Sequence, residues 1–278
     1  MDDNKALKII TLTSWKKRLC NIPKVLDSIY KQTIPCDKVV LNLSIEEFPE
    51  KEKNIPENVL KYIKEHGVEI YWVPGPNTKQ WKKIIPTLQR YSNDWVICID
   101  DDRLYGNKFI ENLWNKHLRY PNTPITVNKG YSVKGFLQHC GHGTLECMDF
   151  YNNFDGIDIN EVMKKTSSSD TFFNYVLAKN GYMLLPIDVA DTSSNFNEVD
   201  PLSKTNATKE PRKHLELWNW LCEKYGKVIK FKGNAWKPDD TYTDETPNTL
   251  CGGIYGITEI KQSNKSKIIK RGVVRKFR

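Results

Sequence analysis

The sequence predicts an α/β protein in which a doubly wound, mostly parallel sheet carries helices on both faces. Apolar, strand-like runs alternate with amphipathic helical segments through the first 120 residues, which is typical of parallel sheets joined by helices. The helical segments repeat apolar residues every three to four positions, and one has proline near its start and glycine just after its end. The chain of 278 residues, 27% charged and 11% aromatic, has the composition of a globular protein with a full core.

Four strand and helix pairs follow in order through the first half of the chain. The predicted strands are 7–13, 38–44, 68–73 and 95–100, and the helices that follow them are 22–32, 56–67, 78–91 and 107–120. Asn21 is expected to cap the first helix with its side chain. Pro86 is expected to kink the third helix, because proline cannot donate a helical hydrogen bond.

The second half is less regular, and it sets the predicted domain limits. Strands are expected at 124–130 and 181–187, helices at 168–181 and 214–226, and a long polar loop at 191–213. We therefore predict one catalytic domain over residues 1–226, a C-terminal extension over 227–260 with helical character, and a tail over 261–278.

The net charge of +8 comes from the tail. Lys and Arg number 42 against 34 Asp and Glu, and the segment Lys261–Arg278 holds eight of the basic residues and no acidic one. A tail of this kind suits an anionic membrane surface or an acidic partner, and a solvated, disordered terminus is the alternative. The neutral body has no base-reading motif, so no nucleic-acid partner is expected.

Cysteine use and hydropathy favour a cytoplasmic protein. The seven cysteines are scattered, odd in number and without a C-x-x-C pair, so neither a zinc site nor a disulfide framework is expected. The N-terminus lacks an apolar signal region, and no apolar run approaches the ~20 residues of a membrane span. Peripheral attachment to the inner face of the cytoplasmic membrane would then depend on the tail.

Three consecutive aspartates, Asp100, Asp101 and Asp102, end the strand-like run WVICID. Ligands bind open parallel sheets at the carboxyl ends of the strands, and adjacent carboxylates repel unless water or a cation separates them. Mg²⁺ or Mn²⁺ would relieve this repulsion and hold a diphosphate. Strand alternation would let Asp100 and Asp102 point the same way. A solvated acidic turn before the next helix is the alternative.

Four segments in this order resemble glycosyltransferases of the GT-A fold, of the family-2-like kind that makes bacterial surface polysaccharides such as capsule and lipopolysaccharide. They are TSWKKRL, QWKKIIPTLQRY, CIDDDRLYG and SSSDTFFNYVLAKNG. The resemblance covers roughly residues 7–226. It implies a metal-dependent hexosyltransferase, whose donor is a nucleoside-diphosphate sugar, expected to be a UDP-sugar, and whose acceptor is a polysaccharide or lipid-linked glycan.

The resemblance also implies roles for individual residues. In such enzymes the acidic motif binds Mn²⁺ or Mg²⁺, which assigns Asp100 and Asp102 to the metal. The nucleotide sugar would contact residues after the first strand, before the acidic strand and in the acidic motif: Thr13, Ser14, Arg18, Lys82, Lys83, Asp100 and Asp101. For the lysines, a solvated helix face is the alternative.

Asp170 is the expected general base of an inverting reaction, because members of this kind carry an acid at the start of the corresponding helix. An aspartate at a helix N-terminus is equally a stabilising cap, worth about 1 kcal/mol. The resemblance further places a glycine-bearing loop beside the sugar and acceptor, here Gly141, His142 and Gly143. Glycines there would let the backbone approach a ligand closely.

Three other functions remain as alternatives. A retaining GT-A transferase would not need Asp170 as a base. A sugar-phosphate nucleotidyltransferase is disfavoured, because TLTSWKKRL lacks the glycine-rich phosphate loop. The alternative from another class is a nucleic-acid-binding protein without enzymatic activity that uses the basic tail.

Overall fold

The structure is a computed structural model that describes residues 6–128, 132–133, 136–166, 169–190, 192–196 and 211–228. The predicted tail over 261–278 lies outside these residues, as does the predicted extension over 227–260 apart from its first two residues. In the described part of the chain, no helix is both long and apolar enough to cross a bilayer.

A seven-stranded sheet forms the centre of the fold. Its strands are β1 (Lys8–Thr13), β2 (Lys38–Ser44), β3 (Glu69–Val73), β4 (Trp95–Cys98), β6 (Ile125–Thr126), β9 (Thr144–Glu146) and β10 (Leu185–Pro186). Two smaller sheets pair β5 (Arg103–Leu104) with β11 (Ser194–Asn195), and β7 (Ser132–Val133) with β8 (Phe136–Leu137). The strand order of the large sheet is β10-β6-β9-β4-β1-β2-β3. Only β9 runs antiparallel to its neighbours β4 and β6, so the mostly parallel sheet is confirmed.

Seven α-helices accompany the described strands. They are α1 (Ile22–Tyr30), α2 (Glu57–Glu65), α3 (Ile85–Arg90), α4 (Phe109–Arg119), α5 (Ile159–Lys165), α6 (Asp170–Lys179) and α7 (Pro211–Tyr225). Short 3₁₀ helices occupy Lys16–Asn21, Lys51–Asn54, Lys79–Lys83 and Met148–Phe154. The four predicted strand and helix pairs are therefore present in the predicted order.

The core forms because strands and helices bury the apolar positions that their periodicity predicts. In α1, Val25, Leu26 and Ile29 are buried on one face at helical spacing. The middle residues of β1 and all of β4 are buried, as expected for central parallel strands covered on both faces. Because these strands are buried, the residues that follow them lie at a defined position on the carboxyl edge of the sheet.

Three local predictions were wrong. The Asn21 side chain makes no capping hydrogen bond, because Asn21 itself closes a 3₁₀ helix that runs directly into α1. Residues 79–90 form a 3₁₀ helix followed by α3, with Pro86 in the first turn of α3, where its missing N–H costs nothing. The predicted loop over 191–213 contains β11 and the first turn of α7, while its residues 191 and 197–210 lie outside the described part of the chain.

The break before α3 is secured by a buried polar cluster. The Lys83 carbonyl accepts hydrogen bonds from the Thr11 hydroxyl at 2.5 Å and the Asn42 amide at 3.2 Å. Asn42 also donates to the hydroxyls of Thr11 and Thr87, both at 3.0 Å. All of these side chains are inaccessible to solvent, so the cluster fixes the backbone of Lys83 against β1 and β2.

Candidate active site

The three aspartates form a turn at the carboxyl end of β4, which we call the aspartate turn (residues 100–102). β4 lies beside β1 in the sheet, and the chain continues from β1 to one side and from β4 to the other. This is the point where strand order reverses, which is where open α/β sheets bind ligands. The Asp100 amide donates to the Tyr105 hydroxyl at 2.8 Å, which fixes the start of the turn.

Asp100 pairs with the buried side chain of Lys83. The Lys83 ammonium lies 2.6 Å from Asp100 Oδ1 and donates to the Gly141 carbonyl at the same distance of 2.6 Å. Lys83 is 6% exposed, whereas Asp100 is 35% exposed. Asp100, Asp102, His142 and Asp170 are all partly exposed, and we call the surface that they form the cleft. Burial alone would lower the pKa of Lys83, but the charge and hydrogen bond of Asp100, together with the charges of Cys98 and Asp170, raise it.

Arg18 bridges the other two aspartates. One of its guanidinium nitrogens, Nη1, lies 3.0 Å from Asp101 Oδ1 and 3.0 Å from Asp102 Oδ2. Ser14 donates to Asp101 Oδ2 at 2.6 Å, so both oxygens of Asp101 are bound within the protein. Asp101 is buried, and burial raises its pKa to about 6 against the opposing effects of Ser14 and Arg18. Asp101 therefore fixes the turn.

Asp100 and Asp102 retain the oxygens that a cation would need. Asp102 is 19% exposed, and burial and the neighbouring Asp100 charge raise its pKa. Within the described part of the chain, Asp100 Oδ2 and Asp102 Oδ1 have no hydrogen-bonding partner. Two partly exposed carboxylate oxygens fit Mn²⁺ or Mg²⁺, which take hard oxygen ligands and complete their shell with water or substrate phosphate.

Two of the residues expected near the nucleotide are bound elsewhere. The Thr13 hydroxyl donates to the Asn42 carbonyl at 2.7 Å. The Lys82 ammonium donates to Asn77 Oδ1 and to the Lys79 carbonyl, each at 3.0 Å, and burial lowers its pKa. In the region that the structure describes, neither side chain hydrogen-bonds to the aspartate turn.

A segment that sequence reasoning assigned to a loop packs on the aspartate turn. β11 pairs with β5, and the Phe196 amide donates to the Asp102 carbonyl at 3.0 Å. Arg103 Nε donates to the Ser193 hydroxyl at 2.9 Å. Residues 192–196 thereby form one wall beside the turn, and the two-residue length of β11 explains why no strand pattern was visible.

Asp170 lies on the other side of the cleft. It is the first residue of α6, it is 35% exposed, and the preceding Ser169 makes no capping hydrogen bond through its side chain. Its position in the first turn still suits the helix dipole. A Cβ atom built on Gly141 would lie 2.9 Å from Lys83 Nζ and 3.6 Å from Asp170 Oδ1, so this glycine separates the two charged groups.

The other loop residues differ in what they contact. The half-buried His142 ring lies 3.1 Å from the Cys140 sulfur through Nδ1, and its charge, with that of Lys83, helps to lower the pKa of Asp100 against burial, which would raise it. Gly143 faces the core, since a Cβ there would lie 2.6 Å from Val127 and 3.1 Å from Phe109. His142 belongs to the cleft, whereas packing explains Gly143.

A buried histidine behind Asp170 was missing from the predicted site. His139 Nε2 lies 3.0 Å from Glu146 Oε2, and His139 Nδ1 lies 3.6 Å from Asp170 Oδ1. Burial would lower the pKa of His139, but the charges of Glu146 and Asp170 raise it to about 9. The only sequence signal is Glu146 itself, a single acid inside the run TLECM, whose first three residues form the strand β9.

Comparisons with known proteins identify the fold. A mannosyltransferase from Pyrobaculum calidifontis, solved in complex with GDP-Man and Mn²⁺, is 14% identical with a TM-score of 0.52, over 92% of this chain and 88% of that chain. Glucosyl-3-phosphoglycerate synthase from Mycobacterium tuberculosis, solved with Mn²⁺, UDP and glucosyl-3-phosphoglycerate, is 14% identical with a TM-score of 0.50, over 86% and 83%. No family model matches the sequence, and no curated protein matches it. The likeness confirms the predicted GT-A fold.

Proposed function

We propose that this protein is a metal-dependent glycosyltransferase that moves a hexose from a nucleoside-diphosphate sugar to a polysaccharide or lipid-linked glycan with inversion. The observation that carries the proposal is the pair of partly exposed carboxylates, Asp100 and Asp102, at the switch point of the sheet, with Asp170 across the cleft. The solved neighbours of the same fold bind GDP-Man or UDP together with Mn²⁺, which supports a nucleotide-sugar donor and this metal.

The aspartate turn would hold the donor's diphosphate. Mn²⁺ or Mg²⁺ bound by Asp100 and Asp102 would supply positive charge to offset the negative charge that develops on the leaving group. Lys83 and Arg18 fix the carboxylates before the donor arrives, because each is buried and each lies within 3.0 Å of an aspartate oxygen. Preorganised charge of this kind needs little rearrangement during the reaction.

Asp170 would act on the acceptor. Its carboxylate takes the proton of the acceptor hydroxyl while that oxygen forms a bond to the anomeric carbon and the bond to the diphosphate breaks. The partly exposed position of Asp170 leaves it accessible from the cleft. The Gly141 backbone, which Lys83 holds through its carbonyl, would form the boundary between the donor and acceptor sides.

Nucleotide release from a panel of sugar nucleotides, with and without Mn²⁺, tests the proposed function. We expect one donor, a UDP-sugar, to turn over and chelation to stop the reaction. Proton NMR of the new anomeric centre separates inversion from retention. Absence of release from every donor with Mn²⁺ and Mg²⁺ and a glycan acceptor would contradict the proposal.

The basic tail offers a location for the enzyme. Lys261–Arg278 carries all of the net positive charge, and each basic residue near an anionic bilayer is worth about 1 kcal/mol. We propose attachment to the inner face of the cytoplasmic membrane, where a lipid-linked acceptor of surface-polysaccharide synthesis would be present. The full chain should sediment with anionic vesicles at low salt and a chain ending at Ile260 should not. Equal sedimentation of both chains would contradict this role.

A further inference from the structure

The two ring nitrogens of His139 face two carboxylates. Nε2 lies 3.0 Å from Glu146 Oε2 and Nδ1 lies 3.6 Å from Asp170 Oδ1. The side chains of His139 and Glu146 have no exposure to solvent. Among the described residues, His139 Nδ1 has no hydrogen-bond partner, and the carboxylate of Asp170 lies just beyond hydrogen-bonding distance from it. Catalytic hydrogen bonds are often long before substrate binds.

Glu146 holds the imidazole ring in place. It lies on β9, the antiparallel strand in the middle of the sheet, and its Oε2 also accepts a hydrogen bond from the Tyr151 hydroxyl. The ring of His139 additionally packs on Phe173 with centroids 5.0 Å apart. These contacts come from three separate elements, so the orientation of the ring is determined by the core and not by the cleft.

The same contacts indicate which protons the ring carries. An ionised Glu146 can only accept, so Nε2 is the donor in this contact. A neutral ring would then turn the lone pair of Nδ1 towards a carboxylate oxygen, which is repulsive. A doubly protonated ring satisfies both carboxylates, and the raised pKa of His139 agrees with this form.

We propose that His139, oriented by Glu146, is a positioning residue that holds Asp170 as the general base, and we call the three side chains the histidine relay (Asp170, His139 and Glu146). The inference rests on the proposed function. His139 would hold Asp170 Oδ1 and leave Oδ2 to face the acceptor hydroxyl. In the reaction the acceptor proton moves to Oδ2, the new bond forms at the anomeric carbon and the diphosphate leaves with its electron pair. His139 keeps both of its protons.

A metal ion in place of this relay is the competing explanation. The Cys98 sulfur lies within 4.8 Å of the ligand atoms of His139 and Glu146. However, the Cys98 thiol donates towards the carbonyls of Cys140 and Thr144 at 3.5 and 3.6 Å. A metal needs the thiolate. These contacts therefore favour the relay, and metal content enters the test.

Matched amide substitutions separate the two sides of the ring. His139→Asn keeps a donor at the Nδ1 position, which faces Asp170, whereas His139→Gln keeps one at the Nε2 position, which faces Glu146. We expect His139→Gln to lower kcat by about 10- to 100-fold, the effect of a misplaced catalytic group, with the KM of the donor little changed. His139→Asn should recover part of this loss. His117→Gln, at a buried histidine of α4 that packs against Trp95, is the control.

The outcomes distinguish positioning from mere packing. Equal kcat in wild type, His139→Asn and His139→Gln would overturn the relay while leaving the proposed function intact, since wild type would still turn over its donor. Equal losses in both variants, with a parallel loss in the His117→Gln control, would also overturn it. Stoichiometric zinc in purified wild type that disappears in His139→Gln would assign the ring to a metal instead.

A measurement on the resting protein keeps the inference testable if no donor turns over. Only five histidines occur in the chain, so the ring of His139 can be followed by NMR through a pH titration. We expect Asp170→Asn to lower the pKa of His139 by about one unit, the effect of removing one close opposite charge, and an unchanged value would overturn the contact. In the described part of the chain, the other ionisable groups that interact electrostatically with the relay are Lys83, Cys98, Cys140, Cys147, Tyr151 and His214.

Discussion

The aspartate turn and the histidine relay both combine acidic and basic side chains, but they arrange them in opposite ways. At the turn the bases are buried, with Lys83 6% and Arg18 7% exposed, and two of the acids reach the cleft. In the relay an acid, Glu146, and the base, His139, are both wholly buried, and only Asp170 reaches the cleft. The turn would thus offer charge to a ligand, whereas the relay would fix the position of Asp170.

The backbone explains why the two regions differ. The turn follows the parallel strands β1 and β4, whose ends place side chains at one edge of the sheet. The relay joins the start of α6 to β9, an antiparallel strand in the middle of the sheet. The side chain that β9 contributes, Glu146, is therefore buried in the core. A charge change at the turn is therefore expected to affect ligand binding, whereas a substitution in the relay is expected to alter the packing of the core or the position of Asp170.

Loss of one carboxylate at the aspartate turn should have the largest effect. Asp102→Asn keeps the shape of the side chain but removes a cation ligand, and the loss of several kcal/mol of charge stabilisation corresponds to about a 1000-fold lower kcat. Donor binding should no longer respond to Mn²⁺ in calorimetry. Asp155→Asn, at an exposed aspartate after the 3₁₀ helix Met148–Phe154, should behave as wild type. Normal turnover by Asp102→Asn at saturating donor would refute the metal role of the turn.

Loss of the base should have the next largest effect and a different kinetic pattern. Asp170→Asn should lower kcat by at least ~100-fold, in the range of general-base assistance, while the donor dissociation constant with Mn²⁺ stays near that of wild type. Kinetics and thermal melting on one protein batch give both values. If Asp170→Asn instead lowered the melting temperature and kept its activity, Asp170 would be a helix-stabilising residue.

The two regions also differ in how far the sequence predicted them. WVICIDDDR combines an apolar strand with adjacent acids, so the turn and its place in the sheet could be predicted from local pattern alone. Its partners could not, because Arg18 and Lys83 lie 83 and 17 residues away from the aspartates they contact. The sequence predicts water or a metal ion as relief for the repelling carboxylates, whereas the protein supplies two cations of its own, Arg18 and Lys83.

The relay was missed because short strands carry little periodicity. β9 has three residues and β6 has two, too few for an alternating pattern to stand out from a loop. His139 is not among the predicted site residues, and its pairing with Glu146 depends on β9 entering the sheet between β4 and β6. Long-range pairing of this kind is determined by tertiary packing.

Raising the pH until His139 loses its charge should have a smaller effect than either substitution, and the quantity affected should be the free energy of unfolding. The pKa of His139 is raised from 6.5 to about 9 in the folded protein. A raised pKa in the folded state means that the pairing contributes fully below pH 6.5 and is lost as pH rises through 9. We expect about 2 kcal/mol less stabilisation at pH 9 than at pH 7, measured as the unfolding free energy of wild type minus that of His139→Gln. A difference that does not change with pH would mean that His139 is neutral in the folded protein.

The smallest predicted effect on turnover comes from alanine substitution of Gly141, and the matched substitution of Gly143 is expected to behave differently. Both glycines lie in the loop between the two regions. An alanine Cβ at Gly141 would lie 2.9 Å from Lys83 Nζ, and the end of a lysine side chain can shift, so stability should change little. That shift would loosen the pair with Asp100 and the separation from Asp170, and we expect kcat to fall by about 5- to 10-fold. At Gly143 the Cβ would lie 2.6 Å from the buried Val127, which cannot move away.

Gly143→Ala should therefore lose about 2 kcal/mol of stability through overpacking and keep its kcat per folded molecule. Urea unfolding and kinetics on Gly141→Ala and Gly143→Ala give both quantities for each variant. The reverse result, with an unstable but fully active Gly141→Ala and a stable but slow Gly143→Ala, would mean that Gly143 and not Gly141 lies between donor and acceptor. The expected result would instead place the boundary of the two regions at Gly141, where Lys83 holds the backbone carbonyl within 2.6 Å.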